Sequence, residues 1–416
     1  MIARHAPIFF YAVYILLTYL LFEFGPWPWP VDDFFNIRLY MFFSLFFLVS
    51  GYFISQYCPI SKLYVPFKTM RLLYILAFLC VIDLVVVSIA RTGGIFPNVI
   101  AGVADPSLVY GEYVYKSFNK GYWTYLEYIN IFLTFTFYSF VLSAIYYWKE
   151  IDWKLKTLLV FIFVYYASIY ISIGVSKGIA TLLIPIPLVV LFLYLSKKKV
   201  ITLGYYFKSI ILVLILFAVF LTFFSRVQIS RSGGEGLYGV FGPPLNIYAE
   251  RMSDLPIGVS VAYESLTRYV CQGYYVLSEV LAMNGADFVI GAGASLFLFN
   301  RIGSTFNTDN NYLVIMENNF GWGMTSLWHG LPAWLINGFG IFGSLIVVFV
   351  IGFLLGVLWK KIRRGPDYFD LGLFFLVNIL LLYYPANNQV FQSAEGFVAF
   401  FMLLIIPIFI KVAVRR

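Results

Sequence analysis

The sequence predicts an all-α polytopic membrane protein: about ten transmembrane helices and a large extracytoplasmic loop carrying short helices. Three observations predict it. Hydrophobic residues make up 62% of the chain and charged residues only 12%, where a soluble domain carries roughly a quarter charged. Stretches such as 8–22, 158–173 and 210–224 are apolar on every face. At ~1.5 Å per helical residue they approach or exceed the ~30 Å of a hydrocarbon layer. Lipid offers no water to backbone polar groups, so a spanning segment is a helix or a closed barrel, and barrel strands would alternate apolar with polar. The third observation is that lysine collects in alternate short loops, the pattern that the positive-inside rule gives a multi-spanning chain.

In chain order, the apolar runs place spans at roughly 8–23, 38–56, 71–90, 124–146, 156–173, 178–196, 205–224, 333–359, 369–385 and 396–412. The first begins after Arg4 and lacks a small-residue cleavage site, so it reads as a retained helix and not as a removable signal. The loops after the second, fourth, sixth and eighth spans hold Lys62, Lys68, Lys149, Lys154, Lys197, Lys198, Lys199, Lys360 and Lys361, and the C-terminal tail holds Lys411, Arg415 and Arg416. That side is expected to be cytoplasmic, together with both termini. The chain thus divides into 1–225 with the first seven spans, a loop at 226–332, and 333–416 with the last three. Within the loop, 269–283 and 287–299 are too short or too polar for spans and read as interfacial or re-entrant helices. No internal repeat, heptad or low-complexity tail interrupts this plan.

Charge and cysteine content exclude several classes. The net charge is +8, but in the large loop acids outnumber basic residues, so no nucleic-acid surface is expected there. The three cysteines, Cys58, Cys80 and Cys271, are scattered and form no C-x-x-C pair. Gly174-Val175-Ser176-Lys177-Gly178 matches G-x-S-x-G, yet no strand precedes it and no triad partner is evident, so a serine hydrolase is rejected. With two histidines in the chain, a zinc site would need acidic help from elsewhere.

The loop's basic residues are all arginines: Arg226, Arg231, Arg251, Arg268 and Arg301. A planar guanidinium gives two parallel donors and stays charged near an apolar boundary, which suits a pyrophosphate. Arg231, Arg268 and Arg301 are therefore candidate pyrophosphate ligands, and Arg226, at a span end, reads as a headgroup anchor. Lys177 joins the candidates because it lies in an outer turn, against the positive-inside pattern. His329, just before Pro332, could take a proton from a sugar hydroxyl and is the candidate catalytic base. Tyr274, Tyr275 and Trp328 are candidate sugar-stacking aromatics among many belt residues. Asp83, in the middle of the third span, is a functional candidate as an intramembrane carboxylate, with a helix–helix hydrogen bond as its structural alternative.

The stretch 268–278 (RYVCQGYYVLS), followed by Gly291-Ala292-Gly293-Ala294-Ser295, resembles the loop of bacterial O-antigen polymerases, the Wzy-type oligosaccharide repeat-unit polymerases. Gly323-Met324-Thr325 and Gly338-Phe339-Gly340 with Gly343, leading to Gly352 and Gly356, resemble the segment that closes that loop. An acidic residue often precedes Gly-Phe-Gly in that family, whereas this chain has Asn337. Ser176-Lys177-Gly178 also looks like the Ser-Arg turn of the related O-antigen ligases, with Lys in place of Arg. The resemblance implies a metal-independent glycosyltransferase, without cofactor, in the bacterial inner membrane. Its active site would face the periplasm, with undecaprenyl-diphosphate-linked oligosaccharides as substrates. Membrane lipids are implied as partners, and a chain-length regulator protein is a candidate. The rival expectations are an O-antigen ligase and, further off, a flippase of lipid-linked oligosaccharides.

Overall fold

Segments that are apolar on every face fold as helices in the computed structural model, which describes residues 5–59, 69–118, 124–197, 203–231, 256–283, 286–302, 310–324 and 329–414. In order these are α1 (Ala6–Phe24), α2 (Phe35–Tyr57), α3 (Met70–Thr92), α4 (Val99–Ala104), α5 (Pro106–Phe118), α6 (Thr124–Tyr146), α7 (Trp153–Ser172), α8 (Ser176–Leu183) and α9 (Pro185–Lys197). After them come α10 (Leu203–Arg231), α11 (Ile257–Ala282), α12 (Leu296–Ile302), α13 (Tyr312–Phe320), α14 (Leu331–Ile362), α15 (Tyr368–Leu382) and α16 (Ala394–Val414). Eight segments are long and apolar enough to cross a membrane, α8 and α9 counting together as Ser176–Lys197. The shorter apolar α15 and α16 occupy the last two predicted spans. Large side chains such as Leu17, Phe46 and Phe78 stand exposed on the outward faces of α1, α2 and α3, a surface that only lipid would cover. The chain is an all-α polytopic membrane protein.

The α2–α14 seam shows how glycine fixes the bundle. A Cβ on Gly352 would lie 2.1 Å from the Leu48 carbonyl oxygen, and one on Gly51 2.1 Å from that of Phe349. Gly356, four residues after Gly352, packs on Ser55 and Tyr52 in the same way. Lipid tails are as apolar as side chains, so helices in a membrane gain from close backbone approach, which small residues at this spacing permit. Lys360 then closes the seam: its ammonium donates to the carbonyls of Ser55 (2.8 Å), Gln56 (2.9 Å) and Cys58 (2.6 Å) at the end of α2. A cation there satisfies carbonyls that the helix leaves unpaired and opposes the negative end of its dipole. Gly352→Ala is expected to destabilise the folded protein by about 1–3 kcal/mol, because its methyl meets backbone and not a side chain that can swing aside. The check is thermal unfolding of purified protein in detergent, and an unchanged midpoint would refute the seam's role.

Two boundaries differ from the sequence-based expectation. α10 continues to Arg231, past the Arg226 at which the loop was expected to begin. α14 is broken at Gly340, whose φ of 69° and ψ of 175° are non-helical and suit a residue without Cβ. The chain from Leu331 to Phe339 is therefore a separate, largely buried helical piece, and the span proper follows the break.

The large loop carries the short helices α12 and α13, but the two segments expected to be interfacial or re-entrant helices fold differently. The segment at 269–283 belongs to one helix of 26 residues, α11, with most of its positions buried. It lies beside α1: the Trp27 indole donates to Thr267 Oγ1 (3.0 Å), and the Tyr274 hydroxyl meets Thr18 Oγ1 (2.9 Å) and donates to the Ile15 carbonyl (3.1 Å). The segment at 287–299 is not one helix but a short bridge at Asp287, a tight turn at Ala292–Ala294 and the start of α12. Its Gly-Ala-Gly-Ala turn packs on the Asn337-Gly338 end of the broken helix. Val289 and Gly291 donate backbone N–H bonds to the carbonyls of Asn337 (3.0 Å) and Gly338 (2.9 Å). The Asn337 amide accepts from the Leu313 N–H (3.2 Å) and donates to the Gly293 carbonyl (3.0 Å). A carboxylate could accept the first bond but not donate the second, so asparagine suits this buried position.

Candidate functional site

Polar groups inside a membrane bundle are costly and collect where they can meet one another. In this chain several of them, with four charged side chains, line a cavity among α3, α6, α7, α8, α15 and the start of α16, toward the end from which the large loop emerges. One face of α3 supplies Asp83, Val87 and Arg91, at helical i, i+4, i+8 spacing, so Arg91 stands ~12 Å above Asp83 along the axis. Asn130 and Thr134 face the cavity from α6, Tyr166 and Tyr170 from α7, and Lys177 and Thr181 from α8. Glu395 closes it from the first turn of α16. The cavity measures ≈ 60 Å³ to the centres of water-sized spheres, a few waters' worth.

Arg91 is the organising group. Its guanidinium donates to the Tyr170 hydroxyl (2.9 Å), lies over the Tyr170 ring at 5.3 Å and approaches the Glu395 carboxylate at 3.8 Å. Glu395 keeps 26% of its side chain exposed, so it is open to the cavity mouth. Asp83 is 3% exposed, and its Oδ1 has no hydrogen-bond partner among the described residues. A buried carboxyl oxygen left in this way is costly unless a donor in the cavity meets it.

The glycines of the G-x-S-x-G turn have structural reasons. Gly174 has φ +64° and lies close to the Pro106 carbonyl, while a Cβ on Gly178 would stand 2.1 Å from the Tyr170 ring. Gly178 thus lets α8 sit on the ring that holds Arg91, and puts Lys177 at the cavity edge. Arg231 reaches the same turn, donating to the Gly174 carbonyl (2.8 Å) and stacking on the Tyr110 ring at 3.8 Å.

Of the candidates read from sequence, Asp83 and Lys177 line this cavity, and Arg231 joins the turn that carries Lys177. Arg268 is half-buried on α11 next to Tyr269, whose hydroxyl accepts from the cavity residue Gln389 (3.4 Å). Arg301 is exposed on α12 and does not line the cavity. Tyr274 and Tyr275 are 1% and 2% exposed, the first bonded to α1 and the second stacked on Trp29. Their rings are engaged in the core and offer no open face to a sugar. Trp328 lies outside the described residues.

His329 is 1% exposed, packed edge-on to Trp334, and is not among the cavity residues. Packing is the role its surroundings support. His329→Gln is accordingly expected to keep near-normal turnover while lowering stability by about 1–3 kcal/mol, the cost of disturbing a buried polar group. A turnover loss of ~100-fold in folded protein would return it to the chemistry.

Arg91 and Glu395 are cavity residues that sequence alone leaves unmarked. The available signal was the eight-residue spacing from Asp83 to Arg91, which puts both on one helical face. Compared with known proteins, the chain matches no family model, no curated protein and no solved structure.

Proposed function

We propose that this membrane protein is a metal-independent glycosyltransferase, an O-antigen or related polysaccharide polymerase. It moves a growing glycan from undecaprenyl diphosphate onto a new lipid-linked repeat unit. The observation that carries the reading is the meeting of Arg91, Lys177 and Glu395 in one membrane-embedded cavity, with Arg231 on the adjoining turn. Leaving diphosphate needs cations, and an attacking sugar hydroxyl needs a base; this cavity supplies both residue types.

In the proposed step the acceptor hydroxyl oxygen bonds to the anomeric carbon of the growing chain as the bond from that carbon to the diphosphate oxygen breaks. The electron pair leaves with the diphosphate, where Arg91, Lys177 and Arg231 offset the charge. The hydroxyl proton passes to Glu395. Asp83, below Arg91, accepts a hydrogen bond from a donor on the cavity floor. The protein would sit in the bacterial inner membrane with both termini in the cytoplasm, as the lysine-rich loops suggest, and with the cavity open to the periplasm.

The lipopolysaccharide of a deletion strain tests this reading. Loss of a polymerase leaves core capped by a single repeat unit, whereas loss of a ligase or a flippase leaves bare core. A single-repeat band, restored to a ladder by the intact gene, is the expected result, and bare core would overturn it.

A further inference from the structure

The four charges of the polar cavity are not evenly matched. At its mouth Arg91 lies 3.8 Å from the Glu395 carboxylate and donates to the Tyr170 hydroxyl. Lys177 is exposed, so water and salt screen its ammonium. Asp83 is the charge left over. It stands ~14 Å along α3 from the Thr92 end, almost fully buried, and its Oδ1 has no hydrogen-bond partner among the described residues. An ionised carboxylate out of water is costly, and buried charges are paired or coordinate a metal. At the same depth α6 brings neutral oxygens: Thr134 is ~15 Å from the start of that helix, with Asn130 one turn above it, and both are buried in the cavity wall. The Thr134 hydroxyl donates to the Asn130 carbonyl (2.8 Å) and to Asn130 Oδ1 (2.7 Å). Its one hydrogen is turned back along α6, so toward the cavity Thr134 Oγ1 can only accept.

We propose that Asp83 and Thr134 hold a monovalent alkali cation on the cavity floor, with Asn130 fixing the Thr134 hydroxyl so that its lone pairs face the ion. A carboxylate beside a hydroxyl oxygen that cannot donate to it is a set of acceptors with no donor, and hard cations take such oxygens together with water. The cavity, ≈ 60 Å³ to the centres of water-sized spheres, has room for an ion and a few waters. One of those waters supplies the hydrogen bond that Asp83 accepts. A single carboxylate balances a single positive charge, whereas a divalent ion would leave an excess beneath Arg91. The site goes beyond the glycosyltransferase reading and does not rest on it: the ion lies below Arg91 and Glu395 and takes no part in making or breaking bonds.

Thermal unfolding of the purified, full-length protein in detergent tests this, with NaCl, KCl, MgCl2 and choline chloride compared at equal ionic strength and fixed pH. Choline is too bulky for the cavity. A ligand that binds only the folded state raises the unfolding midpoint with its concentration, so NaCl or KCl should raise it above choline chloride. Asp83→Asn should abolish that response. Thr134→Val keeps the shape without the oxygen, and should weaken the apparent ion affinity about 10-fold, the scale of one lost polar contact. If Asp83→Asn does not fold, wild type and Thr134→Val carry the test. Equal midpoints in alkali and choline salts would overturn the site, as would an undiminished response in Asp83→Asn or stabilisation by MgCl2 at lower concentration than either alkali salt. A midpoint indifferent to alkali ions that rises as pH falls, and does not in Asp83→Asn, would give Asp83 a proton in place of the ion and equally overturn it. No glycan enters the experiment, so its failure is distinguishable from failure of the polymerase reading.

Discussion

Replacing Arg91 by alanine is expected to slow glycan transfer by about 100- to 1,000-fold, the loss typical of deleting one preorganised group that faces developing charge. The side chain is held in place before substrate arrives, by the Tyr170 hydroxyl at 2.9 Å, the Tyr170 ring and the Glu395 carboxylate at 3.8 Å. Little reorganisation is then needed when the diphosphate departs. Arg91→Lys keeps the charge but loses the planar fork, so it should retain part of the activity. Removing Arg91 alone also strands Glu395 without its cation, and a stranded, partly buried charge costs stability on its own account. The double replacement Arg91→Ala with Glu395→Ala separates the effects: it should recover part of the lost thermal stability and none of the turnover. Turnover within about threefold of wild type in folded Arg91→Ala protein, far short of the ordinary loss, would remove the residue from the site.

The spans were legible because hydropathy reports transfer into lipid, and eight of the segments are long and apolar enough to cross a membrane. α11 was not legible as one long helix, for the same reason. It carries Glu264, Arg268 and Gln272, so it scores poorly for lipid, yet protein and not lipid surrounds it. Gly340 shows a second limit: a glycine inside an apolar run reads as tolerated, and only its φ of 69° reveals a break. In the site, Asp83 and Lys177 stood out because each violates a rule of membrane placement. Glu395 violates none, and Arg91, although a cation at an outer span end, did not stand out. A charge at a span end looks like an ordinary interfacial anchor, and their pairing depends on α3 meeting the start of α16 across the bundle, which no local pattern encodes. Tyr274 and Tyr275 err the other way: aromatics beside a resembling motif suggested a sugar platform, but their packing on α1 and Trp29 had first claim on them.

Glu395→Gln is expected to leave binding of lipid-linked substrate nearly intact and to slow transfer by roughly 10²–10⁴-fold, the range of general-base catalysis. Glutamine matches glutamate in shape and can still contact Arg91, but it cannot take the proton from the attacking hydroxyl. The prediction separates chemistry from bracing because the two roles respond differently to this replacement. If Glu395 only steadies Arg91 across 3.8 Å, the amide oxygen can still accept from the guanidinium and turnover should fall only a few-fold, well short of the general-base range. If it is the base, Gln and Ala variants should be almost equally slow, while Glu395→Asp recovers part of the rate with a shortened reach. Single-turnover measurements on preloaded protein give the transfer rate free of binding. Near-normal transfer in Glu395→Gln would overturn the assignment and pass the proton to Asp83, the other carboxylate lining the cavity.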